Sequence, residues 1–386
     1  AGCALGPSKV NHAMSASFDK LRLFDSAHDG ASFELRDFLT RSVVAFDYER
    51  LVDDEACRTW LGTSLSEARL PVVLLPDGTR LSNPSLHELA QCLGWVTRPR
   101  FHDYDLSIYG AGPAGLSAAV YAASEGLRTV LVERNAVGGQ AGSSSLIENF
   151  FGFPSGISGA ELAERARQQA LKFGVEILQM REGIRAEFRD GRIFVDLADG
   201  SKLVAKANIC ATGVEWRRLG VPEESAFLGR GLFYSAGLSE AVHCGGERVF
   251  VVGGANSAGQ AAVHLAAHGA AVVMLVRGAS FKGTMSRYLS ERILSHPSIQ
   301  VRFTAEVSAF DGARSLERVE VRDVVGGRAE WLEASRVFAC IGGMPNTDWS
   351  RETPIVRDQD GYLVTGADLL EAGKPPMCWT NAGPRW

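Results

Sequence analysis

Gly110-Ala111-Gly112-Pro113-Ala114-Gly115 is the stretch whose reading decides the fold of this chain. An apolar run, Leu106-Ser107-Ile108-Tyr109, precedes it and reads as a buried strand. An alanine-rich segment, Leu116–Glu125, follows and reads as a helix. A second apolar run, Thr129-Val130-Leu131-Val132, then ends in Glu133. Strand, G-x-G-x-x-G, helix, strand and acid, in that order, make a dinucleotide-binding βαβ unit. Gly110 allows the tight turn, Gly112 lets the backbone approach a pyrophosphate, and Gly115 lets helix and strand pack closely. Pro113 and Ala114 stand between them at the helix start, whose free N–H groups and partial positive charge favour phosphate. Glu133 is placed to accept hydrogen bonds from a ribose diol. A glycine-rich loop alone is a common turn; with both strands, the helix and the acid in place, the nucleotide site is the stronger reading.

The 386 residues predict two or three domains. With 46% hydrophobic and 22% charged residues, the composition is that of an ordinary globular protein. A net charge of −5 gives no reason to expect nucleic acid or an anionic membrane as partner. No apolar stretch approaches the ~20 residues of a membrane span, and no leader with an apolar core is visible, so the cytoplasm is the expected compartment. The cysteines are Cys3, Cys57, Cys92, Cys210, Cys244, Cys340 and Cys378, with no C-x-x-C pair and no metal-ligand cluster. Their scatter suits a reducing compartment. Cys210 and Cys340 lie within apolar runs and are expected in the core.

Residues 1–19 read as a flexible N-terminus. From 20 to 98 short elements alternate: strand Leu21–Asp25, helix Ser32–Ser42, strand Val43–Tyr48, helix Asp53–Leu61, strand Pro71–Leu75, an Asp77-Gly78 turn, strand Thr79–Ser82 and helix Ser85–Leu93. Ser85 with Glu88 three positions on has the pattern of a capping box. This order, with Leu70-Pro71 ahead of Val72-Val73-Leu74, resembles a thioredoxin or glutaredoxin fold, and the resemblance implies a cis peptide before Pro71. The active cysteines of that family follow the first strand. Here the loop is Ser26-Ala27-His28-Asp29-Gly30-Ala31-Ser32, without a thiol, so the unit is expected to dock or support rather than exchange disulfides. His28 reads as an exposed loop histidine. Gly94–Asp105 reads as a linker.

After Glu133 come Val137-Gly138-Gly139-Gln140-Ala141-Gly142 and then Ile147-Glu148-Asn149-Phe150-Phe151-Gly152-Phe153-Pro154. Here the chain closely resembles the low-molecular-weight thioredoxin reductases. The resemblance implies FAD, lined by Gly139, Gln140 and Asn149, and a second flavin motif at Ile209-Cys210-Ala211-Thr212-Gly213. Ser158–Phe173 reads as an amphipathic helix, and Val175–Met180, Ile184–Arg189 and Arg192–Leu197 as β-elements.

A second βαβ unit begins at Glu247. Val249–Val252 is a strand, Gly253-Gly254-Ala255-Asn256-Ser257-Ala258 the nucleotide turn, Gln260–His268 a helix and Ala271–Val276 the next strand. Arg277 stands where an NAD-binding unit carries an acid, and an arginine there can meet a 2′-phosphate, with Lys282 in support; NADPH is therefore favoured over NADH. The second of the family's paired arginines is Gly278 here. Ala255 replaces the middle glycine, and its methyl group is expected to stand where the pyrophosphate approaches.

By the same resemblance, a C-x-x-C pair belongs on the helix leading into this second unit. The stretch here is Phe233-Tyr234-Ser235-Ala236-Gly237-Leu238-Ser239-Glu240-Ala241, with both cysteines absent and Cys244 single beyond it. A dithiol is needed to pass electrons to a protein disulfide, so thioredoxin reduction is not expected. Glu240 and His243 are acid–base candidates by position, although solvated helix residues are the simpler reading, and no side chain stands out as catalytic. Val337–Thr347, with Ile341-Gly342-Gly343, matches the family's return to the flavin domain, and Leu219–Gly220 and Gly343–Pro345 are the implied hinges of a rotating NADP domain. At the end, Ala382-Gly383-Pro384 stands where the family has Gly-Asp, which implies an altered flavin wall.

The sequence thus predicts an α/β protein: a thioredoxin-like domain at 20–98, then two Rossmann-like three-layer domains. These are an FAD domain at 99–218, continued in a truncated part at 345–386, and an inserted NADP domain at 219–344. The expected activity is NADPH-dependent FAD oxidoreduction with a non-disulfide acceptor, a ferredoxin, flavodoxin, quinone or other small molecule. Hydride would pass from the nicotinamide to flavin N5. The alternative is a non-catalytic flavin- or nucleotide-binding module. A homodimer is implied by resemblance alone.

Overall fold

The computed structural model describes residues 19–26, 30–234 and 238–370. His28, Ser235–Gly237, Cys378 and Ala382–Pro384 lie outside the described residues, as do expectations that fall on them.

The N-terminal unit contains β1 (Leu21–Asp25), α1 (Gly30–Arg41), β2 (Phe46–Arg50), α2 (Asp54–Leu61), β3 (Val72–Leu74), β4 (Arg80–Ser82) and α3 (Leu86–Cys92). Its sheet has the order β2-β1-β3-β4, with β1 and β2 parallel and the other pairs antiparallel. Both faces are buried, one under Leu35, Phe38, Leu39 and Leu89, the other under Cys57 and Leu61. The Leu70–Pro71 peptide is cis. Ser85 and Glu88 form the capping box, each side chain meeting the other residue's backbone N–H. Val43 and Val44 do not start β2 as expected. They close α1: Val43 takes φ 54°, and Val44 N–H donates to Leu39 O at 3.0 Å. Their apolar side chains satisfied a strand pattern locally, but the helix C-terminus claimed the backbone.

The 94–105 stretch holds no element until β5, yet it is no free linker. Trp95 and Val96 pack on the N-terminal core. Arg100 N–H and the Tyr104 hydroxyl divide the two oxygens of Glu176 between them, at 2.8 and 2.7 Å.

The first nucleotide unit runs β5 (Tyr104–Tyr109), α4 (Pro113–Ser124), β6 (Thr129–Glu133), α5 (Gly159–Lys172), β7 (Glu176–Gln179), β8 (Gly183–Arg189), β9 (Arg192–Leu197) and β10 (Lys202–Cys210). Its sheet order is β7-β6-β5-β10-β9-β8; the first four strands are parallel and β10-β9-β8 antiparallel. α4 begins at Pro113, earlier than the apolar pattern indicated, because proline fits the first helical position, where no N–H partner is needed. Cys210 is exposed, a correction to its expected burial. The second half of β10 lacks a covering layer among the described residues, and Ile209 beside it is also exposed.

A short ribbon joins the two nucleotide units. β11 (Val214–Trp216) leads out, followed by β12 (Leu232–Phe233), α6 (Leu238–Ala241), β13 (Arg248–Val252), α7 (Asn256–Ala267), β14 (Ala271–Val276), α8 (Arg287–Leu294) and β15 (Ile299–Phe303). The meander β16 (Ala305–Asp311), β17 (Arg318–Asp323) and β18 (Ala329–Glu333) comes next, then β19 (Arg336–Ala339) and β20 (Gly343–Pro345). The second sheet, β12-β19-β13-β14-β15, is wholly parallel and buried on both faces. β20 returns antiparallel to β11, with Val214 opposite Pro345 and Trp216 opposite Gly343. The whole is a mixed α/β fold with two Rossmann-like nucleotide units.

Gly115 is tightly packed in the first unit: a β-carbon there would lie 1.8 Å from the Gly110 carbonyl oxygen. The only relief is backbone movement. Gly115→Ala should therefore lower the unfolding free energy by about 1–3 kcal/mol or more, read from urea denaturation; a midpoint equal to that of the unmodified protein would refute this packing.

Candidate functional site

Two nucleotide loops are built alike. In the first, Gly110 takes φ 103°, and a β-carbon on it would lie 2.3 Å from Ala211 O. In the second, Gly253 takes φ 140°, and a β-carbon would lie 2.3 Å from Cys340 O. Each loop thus sits under the backbone of the strand that returns beside it. The hydrogen bonds repeat too. Gly110 N–H donates to Val132 O at 2.8 Å and Gly253 N–H to Leu275 O at 3.0 Å.

Gly112 and Ala255 occupy matching N-cap positions, both extended, at φ −73° and −105°. Neither helix has a side-chain cap, so first-turn N–H groups stay free for an anion. A β-carbon on Gly112 would meet nothing nearer than Gly139 Cα at 4.0 Å. The first loop is therefore open in front of the helix where phosphate approaches. At the second loop that opening carries the exposed Ala255 methyl group.

The residues predicted around the first loop gather on α4, β6 and the segments that return beside them. Pro113 and Ala114 are exposed on the first turn of α4, and Gly115 is buried behind them. Glu133 is buried, and its two oxygens accept Ala111 N–H at 2.7 Å and Asn135 N–H at 2.8 Å. Each oxygen keeps a further acceptor site for a hydroxyl. Gly139 lies against Gly112, and Gln140 donates from Nε2 to Val214 O at 3.2 Å. Thr212 donates from Oγ1 to Asn346 O at 2.7 Å, which ties the second flavin motif to the return strand; Gly213 follows at φ 64°. Asn149 is exposed on the 147–157 loop, while Glu148 beside it faces the Tyr288 hydroxyl of α8 at 3.3 Å.

Around the second loop, Asn256 Oδ1 accepts Ser286 N–H at 2.8 Å, and Thr284 Oγ1 donates to Gly254 O at 2.7 Å. These bonds hold the 280–286 segment, with Lys282, over the loop. Ser257, Arg277 and Lys282 are exposed, and Ala258 is fully buried under Gly253. The donors and free cations present fit a phosphorylated nucleotide at each loop. Among the described residues no cluster of metal-ligating side chains occurs, and no helix is long and apolar enough to cross a membrane.

The segment before the second loop differs from expectation. Glu240 is not a solvated helix residue. It is buried, with Oε1 2.7 Å from Arg36 Nη2 and Oε2 3.9 Å from Arg336 Nε. Arg36 also bonds Asp25 at 2.9 Å, and Arg336 pairs with Glu247. His243 lies edge-on to Tyr48, ring centroids 5.2 Å apart. Cys244 is fully buried, and its thiol donates to Glu240 O at 3.2 Å. Burial pushes that thiol up to about 12.

Sequence reasoning missed Asp25, Arg36 and Arg336. The signal available was a charge placed among apolar residues: Asp25 closing Leu-Arg-Leu-Phe-Asp, and Arg36 between Leu35 and Phe38.

Paired dinucleotide loops on two Rossmann-like units define an oxidoreductase that couples two nucleotide cofactors. The chain belongs to the pyridine nucleotide-disulphide oxidoreductase family, whose model matches residues 104–371. It is 35% identical over 267 residues to the thioredoxin reductase of Treponema pallidum (strain Nichols), covering 69% of this chain and 85% of that protein. It is 32% identical over 265 residues to a 34.2 kDa protein in the rubredoxin operon of Clostridium pasteurianum, covering 69% and 84%. The crystal structure of T. acidophilum thioredoxin reductase superposes with a TM-score of 0.65 at 28% identity, covering 69% of this chain and 86% of that one. FAD and NADPH are the cofactors of this fold.

The thiol chemistry is directly testable. The thiolate is the species that alkylates, so the exposed Cys92 should react with iodoacetamide at mildly alkaline pH, the exposed Cys210 more slowly because partial desolvation pushes its thiol up, and Cys244 and Cys340 should stay unmodified until denaturant is added. Peptide mass spectrometry reads the result. Modification of native Cys244 at the rate of Cys92 would contradict its burial.

Proposed function

We propose that the chain is an NADPH-dependent FAD oxidoreductase whose acceptor is not a disulfide. The observation that carries this reading is the 234–244 segment. Its single thiol, Cys244, is buried and held protonated, so no dithiol stands ready to enter a mixed-disulfide step. The nucleotide loops, by contrast, keep their first glycines and free helix N-termini.

In this reading Gly110, Gly112, Gly115, Glu133, Gly139, Gln140, Thr212 and Gly213 hold FAD, which when bound supplies the two-electron chemistry. Gly253, Gly254, Asn256, Ser257 and Ala258 hold the NADPH pyrophosphate, and Arg277 and Lys282 meet the 2′-phosphate. The N-terminal unit is a thioredoxin-like module without redox function; the β2-β1-β3-β4 order and the cis peptide before Pro71 support that reading. The relative from a rubredoxin operon supports a small electron-transfer protein as acceptor class, alongside quinones. A homodimer in the cytoplasm completes the proposal.

A second reading has one observation in its favour. The Ala255 methyl occupies the opening of the NADPH loop, as a non-catalytic nucleotide- or flavin-binding module would permit. One experiment separates the two. NADPH added without oxygen should bleach the visible flavin absorption, and a quinone or one-electron acceptor should restore it, with no reduction of thioredoxin disulfide. A bound flavin that NADPH leaves unbleached would sink the enzyme reading. Ala255→Gly should tighten NADPH binding, by tenfold for each ~1.4 kcal/mol of steric cost removed.

A further inference from the structure

One helix of the N-terminal unit touches both nucleotide units. At its start, α1 lies on the second unit. Gly30 is so close to Gly229 that a β-carbon on Gly229 would lie 2.7 Å from Gly30 Cα. Phe33 meets Phe233 with ring centroids 4.8 Å apart, and Phe233 stacks on Phe338 of β19 at 5.3 Å. One turn on, the buried Arg36 guanidinium bridges Asp25 of its own unit and Glu240 of the second. The same guanidinium lies over the Tyr48 ring, 4.8 Å from its centre, and Tyr48 donates its hydroxyl to Asp25 at 2.9 Å. At the other end of α1, Arg41 Nη2 donates to Gly139 O of the first unit at 2.9 Å. Asp37, 3.4 Å from Arg41, steadies that side chain.

The N-terminal unit is further anchored on the first nucleotide unit. Ala136 and Met180 pack into its core, and Arg181 donates to Thr97 O at 2.7 Å. Between the nucleotide units themselves, among the described residues, the chain crosses through the β11–β20 ribbon, and the exposed Tyr288 hydroxyl of α8 donates to Glu148 at 3.3 Å. A two-stranded ribbon of three residues a side is a weak guide to orientation. The stiff connection is α1.

We propose that α1 is a strut that sets the angle between the two nucleotide units. Its ends are Phe33 and Arg36 on the second unit and Arg41 on the first. Turning one nucleotide unit against the other must separate Arg36 from Glu240 or Arg41 from the Gly139 carbonyl. The first is the costlier break, because it strips a desolvated carboxylate of its nearest cation. The consequence for turnover rests on the oxidoreductase reading; the strut itself does not.

Two single substitutions test it from opposite ends. Glu240→Leu leaves Arg36 on Asp25 and Arg336 on Glu247, so no cation is orphaned. Arg41→Met removes only the bond to Gly139 and the pair with Asp37, whose carboxyl burial already holds above the usual range. Spin labels go on Lys172→Cys and Arg292→Cys, both exposed, one in each nucleotide unit, with Cys3, Cys92, Cys210 and Cys378 replaced by serine. Pulsed electron resonance then reads the distance between the units without any nucleotide added. The strut predicts one narrow distance in the otherwise unmodified protein, and a broadened or second distance in at least one of the two variants, with circular dichroism unchanged. A broad distribution before either change, or a narrow one that survives both, would overturn it. Because no NADPH is present, a failed strut is distinguishable from a failed oxidoreductase. If both ideas hold, the anaerobic rate of flavin bleaching by NADPH changes several-fold in the variant that broadens.

Discussion

At both nucleotide loops a backbone carbonyl stands where a side chain would otherwise begin. Ala211 O closes over Gly110, and Cys340 O over Gly253. This constraint locks each loop to the strand that brings the chain back, and through it to the opposite end of the sheet. It also ranks the glycines. The first position admits no β-carbon in either unit, because φ is positive and the carbonyl is in the way. The third is glycine in the first unit, where a β-carbon would strike Gly110 O, and alanine in the second, where Ala258 is accommodated under a Gly253 with a wider φ. The middle position is extended in both and tolerates either residue for folding. What Ala255 alters is access to the loop, not the loop.

The charges follow a similar economy. Asp25, Arg36, Glu240, Arg336 and Glu247 alternate in sign along one chain of contacts from the N-terminal sheet to the edge of the second nucleotide unit. Buried ions of this kind are poor sources of net stability but strong specifiers of arrangement, since any other packing leaves one of them unpaired. Glu240 thereby loses the freedom a proton carrier needs, and Cys244 beneath it is sealed from oxidants. The region nearest the expected dithiol has become a structural joint.

Much of the architecture was legible because it is local. The glycine spacing at 110–115 and 253–258, the Ser85–Glu88 box and the alternation around Asp77-Gly78 each fix geometry within a few residues. The errors share a cause. Val43 and Val44 satisfied a strand pattern, but their backbone was claimed by the end of α1. Cys210 sat in an apolar run, but burial depends on a covering layer that no local pattern reports. Trp95 and Val96 lay in a stretch without periodicity, although their bulk was the hint that it packs. Arg41 gave no sign at all: an arginine at a helix end is ordinary, and its partner is a carbonyl 98 positions away.

The joint between Arg36 and Glu240 spans 204 positions of sequence, which has a consequence for how the chain is made. At ribosomal rates of about 5–20 residues per second, roughly 10–40 s separate the emergence of the two partners. During that interval β1 and α1 can form, and Arg36 can find Asp25, but Phe33 has no Phe233 to cover it. The apolar core of the N-terminal unit also waits for Ala136 and Met180. The N-terminal unit, made before its partners, is therefore finished only after them, and it meets chaperones and proteases with an aromatic, half-neutralised face still open.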